Sequence, residues 1–169
     1  MPEEHFDVVD EHDHVLQQLP RSEVHRRGLL HRAVHVFLFR SDGRLLIHRR
    51  TDSKEEFPSI WTSSCSGHVS AGDDYDTTAP RELQEELQVS VPSLQYLHKF
   101  SACADTSWEF TALYEGHSDS PVTPDPAEIA DVRELPLAEI HAWLEQAPKE
   151  FSPAFRLLFD WYWNTRTGA

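Results

Sequence analysis

The sequence predicts an α/β fold in which a mixed β-sheet lies between helices. Three observations support this prediction: the order of the predicted elements, the length of 169 residues, and an acidic amphipathic helix near the middle of the chain. Predicted strands come first, then this helix, further strands and two terminal helices, an order typical of layered α/β folds. A chain of this length can bury one substantial core. We therefore expect a single domain over residues 1–169.

Residues 1–30 form a predicted N-terminal extension of strands and a short helix. Two apolar runs at 6–9 and 15–19 flank a polar stretch at 11–14, a pattern typical of a hairpin or of two edge strands. Ser22 is placed to cap a short helix that follows. We expect these elements to precede the central sheet.

The remaining elements are predicted from apolar runs and turn signals. Residues 33–39 are rich in β-branched and aromatic side chains, as expected of a buried strand, and a Ser-Asp-Gly turn follows. Residues 115–126 contain three prolines, which remove amide donors, so a loop is predicted there. The further predicted strands are 44–50, 94–100, 108–114 and 131–135, and the terminal helices are 137–146 and 152–167.

The segment 67–89 carries the clearest chemical signal. A glycine-bearing turn leads into a helix on which four polar residues fall within one sector of about 140°, because successive helical residues advance by about 100°. These residues are Arg81, Glu82, Glu85 and Glu86, and apolar residues lie on the opposite side. One face of the helix is therefore predicted to pack and the other to gather carboxylates.

Clustered carboxylates repel one another, and the helix dipole disfavours negative charge near a helix C-terminus. A bound divalent cation would offset both penalties. Oxygen-only ligands suit Mg²⁺ or Mn²⁺, which keep some of their waters and take up substrate phosphates. The alternative interpretation is a solvated acidic helix face on which Arg81 and Glu85 form an ion pair.

The whole segment resembles the Nudix box, in which Gly, Glu and the Arg-Glu-aliphatic-any-Glu-Glu-any-Gly-aliphatic motif follow one another at fixed spacing. The matching residues are Gly67, Arg81, Glu82, Leu83, Glu85, Glu86 and Val89. The resemblance implies an α/β/α sandwich and a hydrolase that cleaves a diphosphate linkage in a nucleoside diphosphate derivative or a related phosphorylated metabolite. It also implies Mg²⁺ or Mn²⁺ as the cofactor.

The same resemblance assigns roles to the site residues. Glu82, Glu86 and the carbonyl oxygen of Gly67 are implied metal ligands. Glu85 is either a further ligand or the general base, and Arg81 orients the carboxylates. Glu109 lies in a predicted strand, where Nudix enzymes often supply a further acid as ligand or base. Its alternative interpretation is an outward-facing residue on a half-exposed strand.

Three positions of the segment depart from the pattern or are unusual in it. Asp73 stands where the family has Glu, so the charge is kept on a shorter arm. Gln88 stands where the family has Gly and must adopt a helix-end conformation that glycine adopts more easily. Pro80 is tolerable if the helix is capped at Thr77 or Thr78, because its missing amide then needs no partner.

A second, looser resemblance links residues 30–68 and the Glu109 strand to isopentenyl-diphosphate isomerase and the isomerase-like Nudix hydrolases. It is carried by Leu30-His31-Arg32-Ala33, Leu45 to Arg50, Ser53-Lys54, Phe57-Pro58, Trp61 to Ser64 and Gly67-His68. It implies that Arg50 and Lys54 hold the diphosphate, and that His31, His68 and Glu109, with His25, bind metal or substrate. Surface hydrogen bonding is the alternative for the histidines.

Two residues argue against isomerase chemistry. The catalytic cysteine of the isomerase should immediately precede Gly67, but Ser66 stands there and Cys65 is one place too early. A shift of one residue on a strand points the side chain to the other face. Ser107 also replaces an expected second acid. Hydrolysis is favoured, with an isomerase using a substituted acid, or a non-catalytic Nudix ligand-binding module, as alternatives.

The composition limits the partners. A formal net charge of −14 argues against nucleic acid or anionic membranes as main partners. The small phosphorylated substrate that the resemblance implies would need bound metal or a few local cations to approach so acidic a protein. Two cysteines and the lack of a secretory or membrane-spanning pattern predict a reducing, cytoplasmic setting. The aromatic residues of the terminal helices are expected to serve the core or a homodimer contact.

Overall fold

Residues 2–166, which the computed structural model describes, contain nine strands and four α-helices. The strands are β1 (His5–Val9), β2 (Val15–Pro20), β3 (His31–Phe39), β4 (Leu45–Arg50), β5 (Trp61–Thr62), β6 (Cys65–His68), β7 (Gln95–Phe100), β8 (Glu109–His117) and β9 (Ile129–Leu135). The helices are α1 (Arg21–Arg27), α2 (Tyr75–Leu87), α3 (Leu137–Gln146) and α4 (Pro153–Arg166).

The strands form two sheets. β1 and β2 make a small antiparallel sheet, and the other seven make a mixed sheet of order β5-β4-β3-β8-β7, with β6 paired to β3 and β9 paired to β4. β3 and β8 run parallel, and the other pairs of the large sheet are antiparallel. The predicted mixed sheet is confirmed.

Helices cover both faces of the large sheet, as the alternation along β3 demonstrates. Val34 and Val36 pack in the core cluster that contains Leu83 of α2, whereas Phe37 packs in the cluster that contains Phe155 of α4. Successive side chains of a strand point to opposite faces, so these two clusters are the two layers of the core. The chain therefore folds as the predicted α/β/α sandwich.

The aromatic residues of the terminal helices serve the second layer. Phe155, Phe159 and Tyr162 are buried in it, and Trp143, Trp161 and Trp163 pack against it while partly buried. The predicted core role of these residues is confirmed, because they fill the space between α3, α4 and the sheet.

The N-terminal extension folds as the predicted hairpin and short helix. Phe6, Val8 and Val24 form their own small apolar cluster, which joins β1 to α1. The predicted cap is wrong, because α1 begins after Pro20 and the carboxylate of Glu3 accepts the amide of Ser22 at 2.6 Å. Residue 1 lies outside the described residues.

The cap of α2 also differs from the prediction. Asp74, rather than Thr77 or Thr78, is the N-cap, and its carboxylate accepts the Thr77 amide at 2.8 Å. Pro80 therefore lies in the second turn of the helix and removes a hydrogen bond that another residue would have donated to Asp76. Ala79, Leu83 and Leu87 are fully buried, which confirms the predicted packing face.

Three further boundaries correct the predictions. β8 continues to His117, so the proline-containing loop begins later than expected. β5 and β6 were not predicted, because each is short and Cys65–His68 contains mostly small or polar residues. The last helix begins at Pro153, and residue 167 lies outside the described residues. Within residues 2–166, no helix is long and apolar enough to cross a membrane.

Gln88 ends α2 in the left-handed conformation, with φ 54° and ψ 41°, as its replacement of glycine predicted. We expect Gln88→Gly to raise the free energy of unfolding by about 0.5–1 kcal/mol, since a side chain is disfavoured at positive φ. Urea denaturation of the purified variant measures this change.

The matched control is Gln84→Gly, an exposed position inside the same helix. It should lower the free energy of unfolding by about 1 kcal/mol, because glycine is a poor residue for a helix interior. Equal destabilisation by both substitutions would contradict the proposed strain at Gln88.

Candidate functional site

One cavity of about 800 Å³ opens between the box helix α2, the start of β3 and the segment that follows β4. Nine of the ten predicted site residues line it: Arg50, Lys54, Gly67, His68, Arg81, Glu82, Glu85, Glu86 and Glu109. His31, the tenth, is buried beside Glu109 rather than at the cavity wall. The fold thus gathers residues from five elements and one loop into one place.

The carboxylates of α2 differ in their surroundings. Glu86 is only 8% exposed, and its Oε2 atom has no hydrogen-bond partner among the described residues. The pKa of Glu86 is raised well above its ordinary value, first by burial and then by Glu82 and Glu128. The pKa of Glu82 is raised to about 7 by burial and by the charge of Glu85. The buried carboxylate of Glu86 and the partly buried carboxylate of Glu82, in an acidic surrounding, would be stabilised by a bound cation.

Gly67 allows β6 to approach these carboxylates. An added Cβ at this position would lie 2.2 Å from the carboxyl carbon of Glu82, which is far too close for two carbon atoms. The absence of a side chain therefore lets the Glu82 carboxylate lie against the backbone of β6. This arrangement fits the predicted ligand set of Glu82, Glu86 and the Gly67 carbonyl, all of which offer oxygen to a hard divalent ion.

Arg81 lies among three acids at the mouth of the cavity. Its Nη1 donates to Asp73 Oδ2 at 2.8 Å, and its other nitrogens lie 4.0 Å from Glu82 Oε1 and 3.9 Å from Glu85 Oε1. The shorter side chain of Asp73 thus still reaches Arg81. Glu85 is exposed to solvent, unlike Glu82 and Glu86. Arg81 is placed to fix the relative positions of these carboxylates.

A second cluster includes two residues of the cavity wall and consists of His25, His31, His68 and Glu109, each with one ligand atom within 4.8 Å of the others. The register of the strands brings three of these residues together. In the sheet, His31 of β3 lies opposite Glu109 of β8, and Ala33 of β3 lies opposite His68 of β6. α1 of the N-terminal extension supplies His25. The buried ring of Phe6 packs against all three imidazoles.

The protonation of this cluster follows from its hydrogen bonds. His31 Nδ1 donates to the Leu29 carbonyl at 2.8 Å, so in the neutral ring Nε2 carries a lone pair. This Nε2 lies 3.3 Å from Glu109 Oε1 and has no hydrogen-bond partner among the described residues. Glu109 Oε1 also lies 2.8 Å from His68 Nε2. Two acceptors that face each other require a proton or a cation between them.

The pKa of the Glu109 carboxyl is lowered, because the charges and hydrogen bonds of His68 and His31 outweigh the opposing effect of burial. Burial, together with the nearby His68, lowers the pKa of His25. The carboxylate is therefore ionised, and an uncharged His25 ring presents a lone pair. Three imidazoles and one carboxylate fit Zn²⁺ or another borderline divalent ion.

The predicted diphosphate ligands line the cavity from the end of β4 and the segment that follows it. Arg50 is half-buried at the end of β4 and donates its Nε to the Glu56 carbonyl at 3.0 Å, and burial lowers its pKa. Lys54 forms an ion pair with Glu128. Arg21 of α1 adds a further cation to the lining, which the sequence analysis did not identify.

Five buried polar residues of the cavity were also not identified from the sequence: His35, His48, Thr62, Thr106 and Ser152. Burial lowers the pKa of His35 to about 4 and that of His48 to about 4, so both rings are neutral at neutral pH. His35 interrupts the apolar run 33–39 of β3, and His48 directly follows the buried apolar run 45–47 of β4. A polar residue in or beside such a run is a signal that could have identified them.

Comparison with known proteins defines the class to which this fold and site belong. The family model described as NUDIX domain matches residues 29–155, about three quarters of the chain. The chain therefore belongs to the NUDIX domain family, and this membership supports a pyrophosphohydrolase.

Individual relatives agree with this assignment. The chain is 39% identical over 145 residues to an uncharacterized Nudix hydrolase of Streptomyces coelicolor, covering 84% of this chain and 80% of the relative. It is 34% identical over 153 residues to an isopentenyl-diphosphate Delta-isomerase of Nocardia farcinica, covering 87% of each. The crystal structure of DR0079 from Deinococcus radiodurans is similar with a TM-score of 0.72 and 35% identity, covering 82% of this chain and 90% of that one.

Proposed function

We propose that this protein is a Mg²⁺- or Mn²⁺-dependent hydrolase that cleaves a diphosphate linkage in a nucleoside diphosphate derivative or a related phosphorylated metabolite. The observation that carries the proposal is the buried carboxylate of Glu86 beside the partly buried carboxylate of Glu82, in the same cavity as Arg50 and Lys54. Carboxylates that need a cation, beside cations that can bind phosphate, are the groups that diphosphate hydrolysis requires.

Each residue has a part in this chemistry. Glu82, Glu86 and the Gly67 carbonyl would hold the divalent ion, which stabilises negative charge on phosphate oxygens. Arg50 and Lys54 bind and orient the diphosphate, with Lys54 leaving Glu128 to do so. Bound in this way, the diphosphate presents one phosphorus atom to an attacking water.

We assign Glu85 as the general base that takes the proton of this water. Its carboxylate is exposed to solvent at the cavity and lies 3.9 Å from Arg81 Nε, which positions it. Glu109 is a poorer base because its pKa is lowered and its Oε1 faces His68 and His31. Glu109 would instead be a ligand, with His25, His31 and His68, of a second ion.

Separation of the reaction products by anion-exchange chromatography tests this function. The purified protein, stripped with EDTA, should cleave members of a panel of nucleoside diphosphates, nucleotide sugars, dinucleotides and isoprenoid diphosphates into the two phosphorylated products of diphosphate hydrolysis only after Mg²⁺ or Mn²⁺ is restored. Binding of a panel compound without any turnover would favour a non-catalytic ligand-binding module instead.

The His25, His31, His68 and Glu109 cluster also supports a second candidate, an isomerase acting on isopentenyl diphosphate. Against it, Cys65 is fully buried in the core layer beneath α2, and burial raises its pKa well above the ordinary thiol value. Ser66 lines the cavity in its place. Deuterium uptake into isopentenyl diphosphate in D₂O would support the isomerase, and hydrolysis without uptake would dismiss it.

We expect Gly67→Ala to lower kcat/KM by about 10- to 100-fold, because small displacements of a catalytic group have effects of this size. The added Cβ must displace the Glu82 carboxylate, which is the flexible end of a side chain, so the free energy of unfolding should change by less than about 1 kcal/mol. Steady-state kinetics and urea denaturation measure the two effects.

Gly116→Ala is the matched control. Its Cβ would lie 2.6 Å from Leu94 Cδ2, away from the cavity, so it should lower stability without lowering kcat/KM of the folded enzyme. An unchanged kcat/KM for Gly67→Ala would contradict the role given to this close approach.

A further inference from the structure

A second cavity, of about 400 Å³, lies between α3, α4 and the short 3₁₀ helix Ala104–Thr106. Among the described residues, its lining has no residue in common with the cavity beside α2, so the proposed hydrolysis does not explain it. Its charged side chains are Arg156 and three carboxylates, those of Asp105, Glu145 and Asp160. A cavity of this volume is large enough for a small-molecule ligand.

Arg156 is a polar residue of this cavity that the protein itself leaves unpaired. Within residues 2–166, three buried side-chain atoms have no hydrogen-bond partner: His31 Nε2, Glu86 Oε2 and Arg156 Nε. His31 and Glu86 belong to the proposed metal sites, where a bound ion would offset the deficit. Arg156 lies in neither site. Because a partly buried cation without a partner is unfavourable, Arg156 indicates a ligand that carries negative charge.

A carboxylate of the protein is available to Arg156 but does not pair with it. Asp160 follows Arg156 by four residues on α4, a spacing at which ion pairs form along helices. On α1, this spacing joins Arg27 to Glu23 at 2.9 Å. Within the part of the chain that the structure describes, Arg156 forms no ion pair with Asp160 or with the two other carboxylates of the lining. Its guanidinium is therefore available to a ligand.

The charges of the lining define the kind of ligand. The three carboxylates would repel a simple anion such as phosphate, whereas a simple cation would leave Arg156 unpaired. A ligand that carries one carboxylate and one ammonium group satisfies both kinds of side chain. The planar guanidinium can bind the carboxylate through two parallel hydrogen bonds, and the carboxylates of the lining accept hydrogen bonds from the ammonium group.

The remaining lining is largely apolar. Leu144 of α3 and Leu157 of α4 are partly buried against the second core layer, and Phe159 is buried in it. Each leucine directly adjoins a charged residue of the lining in the sequence, Glu145 and Arg156 respectively. Because covering apolar surface with an apolar group is favourable, the ligand should carry an aliphatic side chain beside its charged groups.

We propose that the cavity between α3 and α4 binds a zwitterionic α-amino acid with an aliphatic side chain. Its carboxylate binds the guanidinium of Arg156, its ammonium group binds the carboxylates of the lining, and its side chain packs on the two leucines. The inference does not depend on the proposed function, because the two cavities are separate. A protein that hydrolyses no diphosphate would still be expected to bind the amino acid.

Calorimetric titration of the full-length, EDTA-treated protein tests this proposal. L-leucine should bind with a Kd below about 1 mM, a modest affinity for a ligand of its size. It should bind at least about 10-fold more tightly than 4-methylpentanoate, which lacks the ammonium group, or 3-methylbutylamine, which lacks the carboxylate. Absence of leucine binding, or equal binding of either analogue, would overturn the proposal.

Substitutions assign the two charged contacts. Arg156→Gln should weaken leucine binding by about 10-fold or more, because it removes the cation that binds the carboxylate. The double variant Glu145→Gln/Asp160→Asn should reduce the preference for leucine over 4-methylpentanoate to less than about 3-fold, and it serves if Arg156→Gln folds poorly. The control Arg26→Gln changes an exposed arginine of α1 outside both linings and should leave the Kd unchanged. An unchanged Kd in Arg156→Gln, or an unchanged preference in the double variant, would contradict the proposed contacts.

Hydrogen exchange locates the bound amino acid. Saturating leucine should slow amide exchange in residues 104–107, 141–145 and 153–160, because a ligand that binds the folded state suppresses local opening around its site. Protection confined to α2 and β6 would instead place leucine in the cavity beside α2 and would overturn the proposal.

Discussion

Glu86→Gln should reduce kcat/KM by about 1,000-fold or more while making the metal-free protein more stable at neutral pH. The loss of activity is expected because Glu86 is a proposed ligand of the ion that supplies charge stabilisation, and removal of one strong electrostatic contribution costs about 100- to 1,000-fold or more. The gain in stability is expected because Glu86 is a buried carboxylate with one oxygen atom that has no partner among the described residues.

The pH dependence of this stability follows from the raised pKa values. A carboxyl whose pKa is higher in the folded protein than in the unfolded chain stabilises the fold when protonated, and that stability is lost as the pH rises. The metal-free wild type should therefore lose stability as the pH rises from the ordinary glutamate pKa through the raised pKa values of Glu82, about 7, and Glu86. Glu86→Gln removes the Glu86 part of this loss.

Thermal unfolding with and without Mg²⁺ measures both effects. The wild-type Tm should rise on addition of Mg²⁺, since an ion that binds only the folded state stabilises it, whereas Glu86→Gln should respond much less. Glu139→Gln, an exposed position on α3, is the control and should change neither kcat/KM nor the response to Mg²⁺. A variant that keeps wild-type activity would refute the role of Glu86.

The residues of α2 could be predicted from the sequence because both of their functions are local. The helical period places Leu83 on the packing face of α2 and Glu82 and Glu86 on the other face. The fixed spacing from Gly67 to the helix brings that glycine against the Glu82 carboxylate. The order of strands and helices predicted a mixed sheet between helices. The resemblance of the 67–89 segment to the Nudix box implied the α/β/α sandwich and the candidate metal ligands.

What the sequence did not predict depends on partners that are distant along the chain. β6 has few residues of high β-propensity, and it forms because residues 33–36 of β3 pair with it. The group of His35, His48, Thr62 and Ser152 in the cavity forms only when β3, β4, β5 and the residue before α4 meet. The same holds for the turn of the N-terminal hairpin, where Asp13 contacts residues 19, 62 and 86 positions away.

Asp13→Asn should lower the free energy of unfolding by about 2–3 kcal/mol at neutral pH, because it removes the charge that joins the N-terminal extension to three other elements. Asp13 is only 8% exposed. Its carboxylate accepts hydrogen bonds from Arg32 Nε at 2.7 Å, Tyr75 Oη at 2.8 Å and Lys99 Nζ at 2.8 Å. The partial exposure of Arg32 and Lys99 keeps the expected loss below that of a fully buried ion pair.

Asparagine is the appropriate replacement because Asp13 has a φ of 64°, a left-handed conformation that asparagine also tolerates. The substitution therefore tests the charge without adding backbone strain. Asp42→Asn is the matched control, since Asp42 forms an exposed ion pair with Arg44 in the β3–β4 turn. Exposed pairs contribute little, so this variant should lose less than about 0.5–1 kcal/mol.

The effect of Asp13 should disappear in acid. Although burial alone would raise it, the pKa of Asp13 is lowered by the hydrogen bonds of Lys99, Arg32 and Tyr75. A lowered pKa contributes stability above the ordinary aspartate pKa, and that stability is lost as the pH falls through the folded value. Urea denaturation between pH 7 and pH 3 should therefore show the difference between wild type and Asp13→Asn shrinking below about pH 4.

Hydrogen exchange connects this stability to the site. Loss of the Asp13 contacts should increase amide exchange in β1 and β2 more than in β3 or α2. The reason is that β1 and β2 form a separate small sheet, which Asp13 joins to β3, α2 and β7. The extension supplies Phe6 and His25 to the cluster of His31, His68 and Glu109, so the same variant should also weaken binding of Zn²⁺ there. Uniform exchange across the chain would show that Asp13 stabilises the whole fold rather than the attachment of the extension.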